Sequence, residues 1–328
     1  MNILILNHAE VERLLPMAEC VEAMSTALAA LARGEAHQPL RMVVRPPGAA
    51  GLMGLMPAYR SGERAAYGLK AVCIFPGNTA RGKDAHQGSV MLFSAETGEL
   101  LALMNASAIT AIRTAAVSAV ATRLLARADA GDLAILGAGV QARSHLAAMA
   151  CVRPIRRARV ASRDPARTQA FAAEIAPRYD FPIEPVASVE QAVHGADLVV
   201  TATTAAEPIV RREWIAPGAH INAVGSSIPT TREIDTATLA AASLFVDRRE
   251  STLNESGDYL FAAREGAIGP QHIRAELGEL LIGAHPGRTS PDEITLFKSL
   301  GLAIEDLAAA DYVYRKAQAQ GAGTWVEF

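Results

Sequence analysis

Residues 132–146, DLAILGAGVQARSHL, constrain the fold of this chain more than any other stretch. A short apolar strand runs into Gly137-Ala138-Gly139-Val140-Gln141-Ala142 and then into a helix. Gly137 permits the tight turn, Gly139 removes a side chain where a pyrophosphate must approach the backbone, and Ala142 lets the helix pack closely on the strand. The helix N-terminus offers free N–H groups and a partial positive charge to an anion. A GxGxxA hexapeptide alone also arises by chance in a Gly/Ala-rich chain, so its context decides.

That context is a regular alternation. Strands are predicted at 133–136, 158–162, 197–203, 220–224 and 244–247, with helices at 141–150, 165–175, 188–194 and 236–241 between them. SVEQ at 188–191 reads as a capping box. Such alternation predicts an α/β fold, a Rossmann doubly wound parallel sheet. The N-terminal third has a different rhythm: a helix over 17–32, then strands at 41–45, 51–56 and 68–75 and a hairpin of 89–94 with 100–105 around AETGE. Sequential strands without helices imply a mostly antiparallel or mixed sheet. Thr110 is expected to cap a helix reaching about residue 128. Residues 293–320 read as one long final helix crossing back to the first domain.

At 328 residues the chain suits two domains. Half its residues are hydrophobic and 31 Lys+Arg face 34 Asp+Glu, which excludes disorder and argues against nucleic-acid binding. Cys20, Cys73 and Cys151 lie apart in apolar stretches without a CxxC pair, suiting reduced, buried thiols in a cytoplasmic protein, and no metal-ligand spacing is present. The start, MNILILNHAEVERLL, lacks the basic leader of a signal peptide. Residues 100–122 are long enough to span a bilayer and carry one charge, Arg113. On insertion scales that arginine costs roughly 2.5–3.5 kcal/mol, so a buried segment of a non-membrane protein is expected.

The strand after the glycine loop ends at Ser162-Arg163-Asp164. A hydroxyl and a guanidinium suit a 2'-phosphate and favour NADP(H); with Asp164 on the ribose instead, NAD(H) is possible. The tips at 201–204 and at Asn222 to Ser227 belong on the same carboxyl edge of the sheet.

Four cations stand in apolar surroundings, among only four lysines and 27 arginines in the chain. Arg113, in the first turn of a helix capped by Thr110, would oppose the helix dipole unless an anion sat there; an internal salt bridge is the other reading. Period two places Arg41 and Arg45 on one strand face, and Lys70 with Val72 and Ile74 on another. Charge on an edge strand also serves against aggregation. Together they suit a small acid.

These residues resemble the ornithine cyclodeaminase and mu-crystallin family. The resemblance is carried by RMVVRPPG, GLKAVCIFPGN, SAETGELLALMNA, ITAIRTAAVSAVAT, LGAGVQA, INAVGSSIPTTREID, LFVDRRESTLNESGD and ITLFKSLGLAIED, which cover nearly the whole chain in family order. It implies a Rossmann domain (116–304) inserted into a mixed α+β substrate and dimerisation domain (1–115 plus 305–328), in a homodimer. It implies substrate-carboxylate binding by Arg45, Lys70 and Arg113. Dinucleotide positions fall on Gly137, Ala138, Gly139, Val140, Gln141, Ser162, Arg163, Thr201, Thr203, Ala223, Val224, Gly225 and Ser299. Ornithine cyclodeaminases carry an aspartate where this chain has Ser227, so the ketimine-reductase branch is implied, with Lys70, Arg113 and Ser227 as catalytic positions. The expected activity is NAD(P)H-dependent reduction of Δ1-pyrroline-2-carboxylate or Δ1-piperideine-2-carboxylate to L-proline or L-pipecolate. Ornithine cyclodeamination, an alanine or iminosuccinate-type dehydrogenase, and a catalytically silent dinucleotide-binding protein are the alternatives.

Overall fold

The computed structural model describes residues 2–328. β1 (Asn2–Leu6) leads into α1 (His8–Leu14) at a capping box: the Asn7 side chain accepts from Glu10 N at 3.0 Å, and the Glu10 carboxylate accepts from Asn7 N at 2.8 Å. α2 (Met17–Ala32) stops just before Gly34, whose φ of 75° suits glycine. Strands β2 (Ala36–His37), β3 (Met42–Val44), β4 (Leu52–Arg60), β5 (Ala66–Ile74), β6 (His86–Ser94) and β7 (Leu100–Asn105) follow, then α3 (Ala106–Leu125). From there strands and helices alternate: β8 (Asp132–Leu136), α4 (Val140–Val152), β9 (Arg157–Ala161), α5 (Pro165–Ile175), β10 (Ile183–Pro185), α6 (Val189–Val193), β11 (Leu198–Thr201) and β12 (His220–Ala223). α7 (Thr236–Ala241), β13 (Ser243–Val246), α8 (Arg249–Glu255), α9 (Gly257–Arg264), β14 (Ile273–Glu276), α10 (Leu277–Leu281) and β15 (Thr295–Lys298) complete that series. α11 (Ala303–Gln320) and β16 (Thr324–Glu327) end the chain.

The residues form two compact units, one up to Thr114 and again from Gly301, the other Ala115–Leu300. The first is built on a mixed sheet in the order β16-β1-β7-β6-β5-β4-β2, with β3 also paired to β4. Its register sets Lys70 opposite Met56 on one side and Val90 on the other, with Met104 beyond, and all three of these neighbours are buried. A lysine thus stands in a row of core side chains. α11 packs on β4, β5 and β6, and at Gly68 a Cβ would lie 3.0 Å from Leu307, so the glycine lets the helix settle close.

The second unit is a parallel sheet, β10-β9-β8-β11-β12-β15-β13-β14. Its strands are covered on both faces, which is why LAIL, LVVT and SLFV read as continuous apolar runs. β9 and β10 lie on one side of β8 and the later strands on the other, so the order reverses between β8 and β11. Ligands of such sheets bind outside the carboxyl ends at this reversal.

The structure departs from the sequence expectations at three places. Of the three cysteines Cys20 is buried, Cys73 half-buried and Cys151 exposed. Thr110 does not start α3: the helix begins at Ala106, where Asn105 Oδ1 accepts from Ala108 N at 3.0 Å and acts as the cap. Arg113 therefore lies about two turns in, and the dipole argument for an anion there fails. Residues 293–320 are not one helix. Thr295–Lys298 is a fully buried strand inserted between β12 and β13, and Gly301, at φ 80°, turns the chain before α11. An apolar run covered on both faces has no period to separate strand from helix. α3 is long and apolar enough to cross a membrane, but 78% of its apolar window is covered by protein.

Candidate functional site

At the end of β8, Gly137 adopts φ 120°, and a Cβ there would lie 2.4 Å from Ala202 O, so no other residue fits without displacing the next strand tip. Gly139 is the N-cap of α4. A Cβ on it would meet only Arg167 Nη2, at 3.9 Å, leaving open space over the unpaired N–H groups of the first helical turn. Ala142 is fully buried against the sheet, and Val140 is exposed. Ala138 O accepts from Arg167 Nε at 3.2 Å. Gln141 Oε1 is buried with no hydrogen-bond partner among the described residues. Open space, free donors and an unsatisfied polar atom together fit a bound dinucleotide.

β9 delivers Ser162 and Arg163. Ser162 Oγ donates to Asp164 O at 3.0 Å and lies 2.7 Å from Thr168 Oγ1. Asp164, the rival ribose ligand, caps α5 by accepting from Arg167 N at 3.2 Å. Arg163 is exposed and makes no hydrogen bond or ion pair among the described residues, so its charge is available.

The tips of β11 and β12 are drawn together by a residue that the sequence reading did not single out. Glu233, wholly buried, accepts from Thr201 Oγ1 (2.6 Å), Thr203 N (2.8 Å), Thr203 Oγ1 (2.7 Å), Gly225 N (2.7 Å) and Ser226 N (3.3 Å). Ala223 is buried and its carbonyl accepts from Ser299 N at 3.0 Å; Val224 is also buried and Gly225 exposed. Lys298 turns into the core, where Nζ donates to Ser226 O and, at 2.8 Å, to Asp258 Oδ2. Ser227 is half-buried, and its hydroxyl makes no hydrogen bond among the described residues.

In the first unit Lys70 and Arg113 come together on α11. Asp306 Oδ2 is 2.7 Å from Lys70 Nζ, Asp306 Oδ1 accepts from Arg113 Nε at 3.0 Å, and Glu305 Oε2 accepts from Arg113 Nη1 at 2.6 Å. All four side chains are at most 5% exposed. Arg113 therefore makes the internal salt bridge that was its other reading, and the acids that form it, Glu305 and Asp306, lie in LAIED, where nothing local marks them. Around them, Arg41 Nη2 donates to Gly301 O at 3.0 Å and Gln38 Oε1 accepts from Ile304 N at 2.8 Å, satisfying the start of α11. Arg45, just past β3, is exposed and unbonded among the described residues.

Burial pushes the Lys70 ammonium down to about 8, against the raising effect of Asp306 and together with the like charge of Arg113. Burial also acts to lower Arg113, but Asp306 and Glu305 outweigh it and raise the guanidinium above its ordinary value. His86 is lowered by burial and then by the Lys70 charge. An ammonium has three N–H donors, and the one close polar contact of Lys70 Nζ among the described residues is its ion pair with Asp306; Arg113 Nη2 makes no hydrogen bond or ion pair among them. The cluster is neutral overall yet has donors to spare.

A doubly wound sheet with this loop at its reversal point, in a chain that also gathers buried cations, defines a nicotinamide-dinucleotide-dependent oxidoreductase. The chain belongs to the ornithine cyclodeaminase/mu-crystallin family, whose sequence profile matches residues 1–321. It is 43% identical to the ketimine reductase mu-crystallin of Mus musculus over 281 residues, 86% of this chain and 85% of that one. The structure of Thermococcus litoralis Δ1-pyrroline-2-carboxylate reductase in complex with NADH and L-proline superposes with a TM-score of 0.95 at 41% identity, covering 98% of this chain and 99% of that one. An archaeal alanine dehydrogenase dimer with bound NAD gives 0.94 at 33% identity, over 100% of both chains. The chain is an NAD(P)H-dependent oxidoreductase acting on C=N or CH–NH bonds, as the resemblance implied.

Proposed function

We propose that the protein reduces cyclic ketimine carboxylates, Δ1-pyrroline-2-carboxylate or Δ1-piperideine-2-carboxylate, to L-proline or L-pipecolate. The observation that carries this reading is the pair of buried cations, Lys70 and Arg113, with unused donors and a shared carboxylate behind them. Such donors suit a small carboxylate, and because the substrate already contains its C=N bond, the chemistry needs only one hydride and one proton.

The bound dinucleotide supplies the hydride. Residues Gly137 to Gln141, Thr201, Thr203, Ala223 to Gly225 and Ser299 would hold it, with Ser162 and Arg163 toward the adenosine ribose. The unpaired Arg163 favours NADPH, and NADH remains usable. Arg113 Nη2 and Arg45 bind and orient the substrate carboxylate. Lys70, protonated at neutral pH with its pKa near 8, donates the proton to the ring nitrogen or holds the carboxylate. Asp306 fixes the Lys70 ammonium, and Ser227 orients substrate or a water.

Ornithine carries two amino groups whose charge an acid must balance, and this chain has Ser227 at that position. The exposed apolar side chains Met42, Val43 and Val44 suit a homodimer, a reading supported by the dimeric alanine dehydrogenase. The test is oxidation of NADPH and NADH with five- and six-membered ketimine carboxylates, beside ornithine with NAD and pyruvate with ammonia. Turnover confined to the ketimines is expected. Ammonia release from ornithine without net cofactor consumption would replace this reading with cyclodeamination, and turnover of pyruvate alone would replace it with alanine dehydrogenation.

A further inference from the structure

We propose that Glu233 is the positioning residue for the nicotinamide end of the dinucleotide site. The order of the parallel sheet assigns the two ends of a dinucleotide to opposite sides of the β8–β11 reversal. The β9 side takes the adenosine half, and the β11 and β12 tips take the nicotinamide half. Glu233 touches only the second.

Its carboxylate has about four lone-pair positions and receives five hydrogen bonds, so no acceptor capacity remains for a ligand. What it does is turn three backbone N–H groups, of Thr203, Gly225 and Ser226, inward. The tips are thereby pressed together: a Cβ on Gly225 would lie 2.3 Å from Thr203 O and 2.4 Å from Glu233 Oε1. Glu233 is itself held from behind, since Asp258 Oδ1 accepts from Glu233 N at 2.8 Å and from Ile234 N at 3.0 Å while Oδ2 binds Lys298. No Lys or Arg contacts the Glu233 carboxylate directly among the described residues; backbone and hydroxyl dipoles carry its charge. An amide in its place would aim an NH2 at either the Thr203 donors or the Thr201, Gly225 and Ser226 donors, whichever way it turned, and would push the tips apart.

The experiment compares NADH with ADP-ribose, which lacks the nicotinamide, by calorimetry on the full-length protein and by nicotinamide fluorescence. It needs no imine substrate and so stands apart from the proposed reaction. Glu233→Gln should bind ADP-ribose within twofold of wild type, weaken NADH at least tenfold, and lose the fluorescence enhancement of bound NADH. Thr201→Val removes one Glu233 partner at a fully buried position and should weaken NADH two- to fivefold with ADP-ribose unchanged; it decides the matter if Glu233→Gln does not fold. Equal weakening of both ligands, or unchanged NADH affinity in a folded variant, overturns the proposal. Wild-type protein that binds neither ligand removes the dinucleotide site itself.

Discussion

Lys70 and Asp306 form a 2.7 Å ion pair in which neither side chain is more than 4% exposed, set in a sheet row otherwise filled by Met56, Val90 and Met104. Burial pulls the ammonium down and Asp306 pulls it back, so Asp306 sets where the lysine titrates. With protonated Lys70 as the active form, kcat/KM for ketimine reduction falls as pH rises through about 8. In Asp306→Asn the raising interaction is lost and that limb moves to lower pH. Removing one partner from a buried pair also costs about 3–5 kcal/mol of stability. A pH profile that is unchanged in the variant excludes Asp306 from tuning Lys70.

The two glycines of the cofactor loop should fail differently. Gly137→Ala places a Cβ against Ala202 O at a positive φ and should destabilise the whole unit, read as a fall in Tm. Gly139, the N-cap of α4 at φ −114° with open space beyond it, should accept valine with only the modest loss of Tm that a poorer N-cap costs, while NADH binding weakens at least a hundredfold. Loss of stability at Gly139 with binding intact would mean that the open space is not the pyrophosphate cradle.

Much of this was legible in the residues, for reasons that differ by element. The glycine loop and the alternating strands showed because turn sterics and two-sided burial leave strong local marks. Lys70 and Arg113 stand out because charge in an apolar run is anomalous. Their partners do not, since in a buried helix such as α11 acids at 305 and 306 look like ordinary first-turn acids. Glu233 was hidden for a related reason: it sits in an irregular segment just ahead of Asp235, the cap of α7, and only the folded chain brings Thr201, Thr203 and Gly225 to it. β15 is indistinguishable from helix in the sequence because TLFK carries no periodicity.

Arg163 offers a direct test of cofactor choice. As an exposed, unpaired cation following β9, it should contribute to NADPH binding through the 2'-phosphate and little to NADH. Arg163→Ala is expected to lower the NADPH-to-NADH ratio of kcat/KM about tenfold or more. An unchanged ratio would assign the arginine to solvent.

Two buried histidines predict how the second unit responds to acid. Burial lowers His145 to about 4 and His220 to about 3. Nδ1 of His145 donates to Gln141 O at 2.7 Å, and in the neutral ring that burial favours Nε2 accepts from Ser118 Oγ at 3.0 Å. Below the ordinary histidine value of about 6.5 the unfolded chain takes up protons that the folded chain refuses. Stability is therefore full above that pH and declines as pH falls toward 4, by up to about 3 kcal/mol per histidine. Urea denaturation at pH 7.5, 6 and 5 should show this decline, shallower in His145→Gln; a flat dependence contradicts the neutral assignments.

The proposed reaction passes a hydride from the reduced dinucleotide to the imine carbon of a cyclic ketimine carboxylate. It is tested most directly with NADH or NADPH deuterated on either face of nicotinamide C4, supplied with Δ1-pyrroline-2-carboxylate, and mass analysis of the product. The expected product is L-proline carrying one deuterium at Cα from one of the two labelled faces and none from the other, with one reduced cofactor consumed per product. Proline without deuterium from either face, or no proline at all, would contradict it.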